Sequence, residues 1–211
     1  MAMSTLTATN KGAATRDAIL EQAYGIACSA GLEGLSIGPL AAAVGMSKSG
    51  VFAHFGSRED LQLAVLDKAA QLFTGYVLLS QLKQPRGLVR LRAIVDAWFD
   101  WSRHTDGGCV LLGAVSEYDD RPGALRDWVV EQQKRWRAAL AQAVQLAVDN
   151  GELGADTDTE QLAFEIYGLA LIVHHDAGLF GFDSARERGR RAFERLVRSY
   201  ASPACAASPK A

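Results

Sequence analysis

The chain has no stretch approaching the ~18 consecutive apolar residues of a membrane span, and its opening residues, MAMSTLTATNKGAATR, lack the apolar core of a signal peptide. A cytoplasmic protein without membrane contact is the expectation. Cysteine is sparse: Cys28, Cys109 and Cys205 are odd in number, far apart and in no C-x-x-C arrangement. That argues against a disulfide framework and for reduced thiols. Charge of one sign is missing too, since 22 Lys and Arg against 24 Asp and Glu leave a formal net charge of -2. Residues 1–60 carry Lys11, Arg16, Lys48 and Arg58 against Asp17, Glu21, Glu33, Glu59 and Asp60, so any positive patch must be local. No Gly-rich phosphate loop, G-x-S-x-G, HExxH or pair of catalytic carboxylates can be singled out. Neither a catalytic residue nor a cofactor is therefore expected. His174-His175-Asp176 is the nearest thing to a metal motif, but adjacent helical residues point about 100° apart and the i+4 partners are Gly178 and Leu179. No metal site is expected there. A polar group in a pocket or a structural histidine fits better.

What is present is helix. At 211 residues and 49% hydrophobic the chain can bury a substantial core, and no strand alternation or internal repeat competes with an all-α reading. The stretch Ser36–Arg58, SIGPLAAAVGMSKSGVFAHFGSR, carries the clearest local signals. Ser36 can cap a short helix burying Ile37, Leu40, Ala41 and Val44, which Gly45 stops. Ser47 can cap a second one that buries Val51, Phe52 and Phe55 while Lys48, Ser49, Gly50, Ala53 and His54 stay small or polar. Two short helices around a glycine turn read as helix-turn-helix, whose second helix enters the DNA major groove. Lys48, Ser47 and Ser49 suit phosphate oxygens, Gly50 allows close approach, and His54 can meet a base edge. With no Arg, Asn or Gln on that helix, sequence choice is expected to draw on thymine methyls and DNA shape.

From about Thr15 to Ala69 the chain resembles the N-terminal domain of the TetR family of bacterial transcriptional regulators. The matching pieces are Thr15–Leu20 with Ala30-Gly31, Ser36-Ile37, Ala41–Val44 with Gly45-Met46-Ser47-Lys48, and His54 through Leu61. The resemblance implies DNA contacts from Ser36, Ser47, Lys48, Ser49, Gly50, Phe52, His54 and Arg58. Phe52 departs from the family's usual Tyr and so lacks a phenolic phosphate contact; Arg58 replaces a common Lys and keeps its charge.

Taken in order, residues 1–12 read as a disordered tail and 13–56 as a three-helix reader, whose first helix opens at Thr15 and ends at Gly31. Residues 57–201 read as a helical effector-binding and dimerisation domain, and 202–211 as a loose tail. Ser57 caps a helix expected to run through 57–80 with the stripe Leu61, Val65, Ala69, Leu72 and Tyr76. Another follows Pro85, Thr105–Gly108 form a turn, and a long helix starts at Pro122 in its first turn and ends at Asn150-Gly151. Thr157 and Glu160 have capping-box spacing, and the last helix is expected from about Ser184 to Tyr200.

The resemblance implies a homodimer on a palindromic duplex operator, paired through the last two long helices, where Gly168, Ala170, Gly189 and Ala192 would allow close approach. It also implies an effector pocket among the middle helices. The expected effector is small and largely apolar, touched by some of Trp98, Tyr118, Trp136, Phe164, Tyr167 and His174. The functional expectation is a DNA-binding regulator, a repressor released by that effector. The alternative is a helical small-molecule enzyme or metal-binding protein that keeps the reader head as a scaffold.

Overall fold

The computed structural model describes residues 3–104 and 107–202, with backbone only for residues 3–11. Thr105 and Asp106 of the expected turn, residues 203–211 of the expected tail, and with them Cys205, lie outside the described residues. Among the described residues there are nine α-helices and no strand. One antiparallel bridge pairs Leu153 with Ala201. The chain divides into two compact units, Met1–Leu72 with Thr105–Val130, and Phe73–His104 with Glu131–Ala211.

The first unit begins with α1 (Met3–Gly34). Residues 3–12, which read as a tail, fall in its opening turns; nothing before Gly12 breaks a helix there. Ile19, Ala23 and Ala27 are buried at helical spacing, and regular geometry ends at Gly31, with φ 74° and ψ 171°. The two amides that follow are not left open. Leu32 and Glu33 donate their N–H groups to the Glu117 carboxylate, at 3.2 and 3.0 Å. Glu117 stands on α6 (Val110–Tyr118), so a helical turn restarted after a glycine break is capped from another helix.

Helix α2 (Ile37–Ala43) packs on α1 and on α3 (Lys48–Phe55), and Arg16 of α1 reaches the Phe55 ring of α3. Ser36 sits at the start of α2 but makes no side-chain cap. Ser47 does cap α3, its Oγ accepting from Gly50 N–H at 3.1 Å. Gly45, at φ 66°, makes the turn between them. Helix α4 (Arg58–Phe73) is capped by Ser57, which accepts from Asp60 N–H at 2.9 Å. Its buried stripe is Leu61, Val65, Ala69, Phe73 and Val77; Leu72 is 42% exposed, so the expected stripe is one residue out at its far end. Nor is it one helix through residue 80. A π-helical turn, Thr74–Leu78, and a 3₁₀ turn, Leu79–Gln81, take over, around the weak helix former Gly75.

The first unit is tied further by Tyr118, whose hydroxyl donates to Glu33 Oε1 at 2.8 Å, and by Gln62, 3% exposed, which donates to Leu32 O at 2.7 Å. That arrangement holds the Glu33 carboxyl below its ordinary pKa, first through the Tyr118 hydroxyl and then, against a desolvation that raises it, through Arg58 and Arg121.

In the second unit α5 (Leu88–Trp101) packs on α8 (Thr159–Phe180) and α9 (Phe182–Ser199). Its start repeats the device of the first unit: Gly87 has φ 100° and Leu88 N–H donates to Glu152 Oε2 at 2.8 Å. Helix α7 (Ala124–Asp149) begins two residues after Pro122. Asp158, not Thr157, caps α8, its Oδ1 accepting from Glu160 and Gln161 N–H at 3.1 and 2.9 Å. Its carboxylate is the better acceptor for two amides. Helix α9 starts at Phe182, just past Gly181 (φ 101°). A Cβ at Gly189 would lie 2.3 Å from Val173 Cγ2, so that glycine serves packing within the chain. Arg92 on Glu194, Arg186 on Asp100, and Arg190 on Asp96 lace α5 to α9. Ser202 is buried, donating Oγ to Gly151 O at 2.7 Å, and is therefore not part of a loose tail.

Gly31→Ala should lower stability by about 1–3 kcal/mol, because its φ and ψ are in a region essentially reserved for glycine. Glu117→Ala should cost about 1 kcal/mol as a lost cap. The pair should sum less than additively in urea denaturation, since both act on one joint. Tyr118→Phe removes the largest influence lowering the Glu33 pKa. A depressed carboxyl pKa stabilises the fold above the unfolded value, and that stability is lost as pH falls through the folded value. Denaturation from pH 7 to pH 3 should therefore show a gap between wild type and Tyr118→Phe that closes at the acid end; a gap independent of pH would contradict the assignment.

Candidate nucleic-acid interface and effector cluster

The surface of α3 is built by subtraction. Val51 and Phe55 are buried, and Arg16 stacks its guanidinium 4.7 Å above the Phe55 ring. What remains outside is Ser47, Lys48, Ser49, Phe52 and Ala53. The Ser47 and Ser49 hydroxyls are 3.0 Å apart, one donating to the other, a compact hydroxyl pair, while the Lys48 side chain reaches toward α2, where a Cβ at Gly38 would lie 3.7 Å from its Nζ. Phe52, expected to be buried with Val51 and Phe55, instead holds its ring 43% exposed to water, because it lies off the face that those two residues turn inward. His54 is half-buried in the last turn of α3. Gly50 has a role within the turn, for a Cβ there would meet Met46 Cε at 3.1 Å and Ser47 Oγ at 3.3 Å.

Arg58 stands apart from this set. Its Nε donates to Leu35 O at 2.9 Å and its Nη2 to Glu33 O at 2.6 Å, with Glu33 Oε2 at 3.3 Å. The guanidinium thus closes the end of α1 onto the start of α4 instead of pointing outward with Lys48. Ser36 is half-buried at the head of α2.

The second unit gathers aromatic rings around Phe73. Its ring meets those of Trp98, Trp101 and Trp136 edge to face, with centroids 6.0, 5.5 and 4.9 Å away. Trp98 also packs on Trp136 at 4.9 Å and on Tyr167 at 5.5 Å, and Tyr76 on Trp101 at 5.8 Å. Such edge contacts are favourable for rings, but polar atoms are left over. Trp101 Nε1, Trp136 Nε1 and Gln133 Oε1 are buried without a hydrogen-bond partner.

Of the six residues expected to meet an effector, Trp98, Trp136 and Tyr167 come together here. Tyr118 does not, because it belongs to the first unit and is bonded to Glu33. Phe164 is 59% exposed on the outer side of α8. His174 lies two turns beyond Tyr167 on α8, where burial, followed by the charge of His175, lowers its pKa and favours the neutral ring. Phe73, Trp101 and Gln133 were not anticipated as site residues. Trp101 is one turn beyond Trp98 and Gln133 one turn before Trp136, a spacing that could have placed both. Among the described residues no group of three or more His, Cys, Asp or Glu could hold a metal ion, and no helix is long and apolar enough to cross a membrane.

Residues 19–65 match the family described as bacterial regulatory proteins, tetR family, and residues 87–193 match the tetracyclin repressor-like C-terminal domain. A TetR transcriptional regulator from Chloroflexus aurantiacus J-10-FL is similar in structure, with TM-score 0.81 and 26% identity over 90% of this chain and 95% of that one. A TetR-family regulator from Streptomyces coelicolor shares the fold at TM-score 0.79 and 22% identity, over 95% and 96% of the two chains. AibR, solved in complex with isovaleryl coenzyme A and operator DNA, shares it at TM-score 0.68 and 23% identity, over 90% and 99%. Comparison with curated proteins gives no match. The helix-turn-helix head and the helical domain that follows it together identify this chain as a member of the TetR family of bacterial transcriptional regulators, a DNA-binding regulator by family and fold.

Proposed function

We propose that this regulator is a homodimeric repressor that reads a palindromic operator through α3 and is released from it by a small, largely apolar effector. The observation that carries the reading is the outward face of α3, where Lys48 and the Ser47–Ser49 hydroxyls lie beside an exposed Phe52. Lys48 and the hydroxyls hold phosphates, and Phe52, with Ala53, meets thymine methyls. His54 contributes at a base edge. Arg58 serves in this reading as the brace that sets α4 on α1, and Ser36 and Gly50 shape the turn around the reader.

Pairing is supported by α8, where Phe164, Gly168, Leu171, Ile172 and Leu179 are exposed at helical spacing on a largely apolar face that also carries the exposed His175. A second copy would bury it, and successive half-sites ~34–36 Å apart would then be read together. The Trp98, Trp136 and Tyr167 cluster supports an effector. AibR, with the same fold, is bound to both an acyl coenzyme A and operator DNA, a precedent for the two ligand classes. Release follows if the effector prefers a state in which α4 pivots and the paired α3 helices leave the half-site spacing. The enzyme alternative draws no support from relatives that are transcriptional regulators.

Selection of duplexes from a random pool should enrich a palindrome; enrichment of a single asymmetric half-site would remove the dimeric reader. Lys48→Ala should weaken binding to all sequences and flatten the salt slope by roughly 1. Phe52→Tyr should tighten binding if a phosphate lies within reach of the new hydroxyl. Ile172→Glu with Leu179→Glu should give a monomer in sedimentation and weaken palindrome binding, while a mutant dimer would exclude α8 as the pairing face.

A further inference from the structure

We infer that the effector is an uncharged, planar aromatic molecule bearing both a carbonyl oxygen and a hydroxyl, bound by the Trp101 and Trp136 indole N–H groups and by Gln133 Oε1 in the place now filled by the Phe73 ring. The inference rests on the effector reading above and gives it a chemical class.

The three atoms left without hydrogen-bond partners start the argument. Trp101 is 5% exposed and Trp136 7%, and a buried polar group without a partner costs free energy that well-packed interiors rarely tolerate. Both indoles pack edge-on against the same ring, Phe73, at 5.5 and 4.9 Å. Gln133 precedes Trp136 by three residues on α7, so the two share a face of that helix. Two unpartnered donors belong to indoles that flank one ring, and an unpartnered acceptor stands one turn from Trp136 on the same helix, a set complementary to a ligand with an accepting carbonyl and a donating hydroxyl.

The ligand's shape and charge follow from what surrounds those atoms. The ring at the centre touches three indoles edge to face, an arrangement another flat aromatic can reproduce and a flexible chain cannot. None of the three polar atoms carries a formal charge, and the Arg137 guanidinium stacks on the Tyr167 ring at 4.2 Å, not on Phe73, so an ionised carboxylate in the place of the Phe73 ring would be desolvated without a counter-charge from the three atoms. Phe73 is also the last residue of α4, where α-helix gives way to a π-helical turn, and such turns recur at functional sites. A ligand that takes the ring's place must displace the end of α4. Phe73 thus competes from inside the protein with the effector.

The test is calorimetric titration of the full-length protein with 4-hydroxyacetophenone and the larger 6-hydroxy-1-tetralone, against 4-hydroxybenzoate and indane. At least one hydroxy ketone should bind about tenfold or more tightly than both controls. Trp136→Phe should weaken that binding about tenfold and leave indane unchanged, whereas Phe73→Ala should tighten it. Should Phe73→Ala fail to fold, Gln133→Leu takes its place and should erase the preference for hydroxy ketones over their O-methyl ethers. Binding of 4-hydroxybenzoate or indane as strong as that of the ketones, or an unaltered Trp136→Phe affinity, would overturn the inference, as would silence from both ketones. Binding to the selected duplex is followed in parallel. Ketone binding without loss of DNA would leave the site standing and remove effector release. Tight DNA binding with no ketone binding would remove the site and leave the reader.

Discussion

A carboxylate that caps a helix belonging to another part of its unit is the constraint on which the architecture turns. Glu117 accepts the N–H groups of Leu32 and Glu33 just past Gly31, and Glu152 accepts that of Leu88 just past Gly87. In both places the glycine provides a positive φ that lets the chain swing its next amides toward the acid, and in both a side chain on the glycine would strike the carboxylate. Orphan amides at a helix start are ordinarily capped by the residue just before them. Here the partner lies 64 to 85 residues away in sequence, so local conformation and long-range packing are fixed together. Break the joint and the helix loses its direction as well as its cap.

Beside that joint a second one draws positive charge away from the reader face. Arg58, by position the second cation beside the recognition helix, is engaged by two backbone carbonyls and Glu33. It fixes how α4 leaves the head. The exposed face of α3 is left with one ammonium, a hydroxyl pair and an exposed ring, a surface whose attraction for a polyanion is modest and whose fit must come from shape and apolar contact.

Most of the fold was legible in the sequence because its signals are local. Ser47 and Ser57 cap where the spacing places them, Gly45 turns between α2 and α3, and the 3.6-residue periodicity marks the longer helices, while α6 shows only as a short apolar segment and the opening turns of α1 carry no apolar stripe to reveal them. Where the reading missed, a competing neighbour or, for Ser202, a distant partner decided the outcome. Asp158 outcompetes Thr157 for the α8 cap, Phe73 rather than Leu72 takes the inward place after Ala69, and Ser202 is held by Gly151 rather than hanging loose. The candidate effector residues divided on the same ground. Aromatic content singled out Trp98, Trp136 and Tyr167, but only tertiary structure separates them from Tyr118, which is engaged by Glu33, and from Phe164, which faces solvent.

The first unit is discontinuous: residues 1–72 are completed by 105–130. On the ribosome, the reader head emerges first, yet the helix that supplies Glu117 and Tyr118 follows only after the segment 73–104 of the other unit has been made. Until then the turn after Gly31 has no acid to receive its amides. The head reaches its finished form late, with part of the second unit already outside the tunnel, and synthesis thereby orders the assembly so that an incomplete chain carries an incomplete reader.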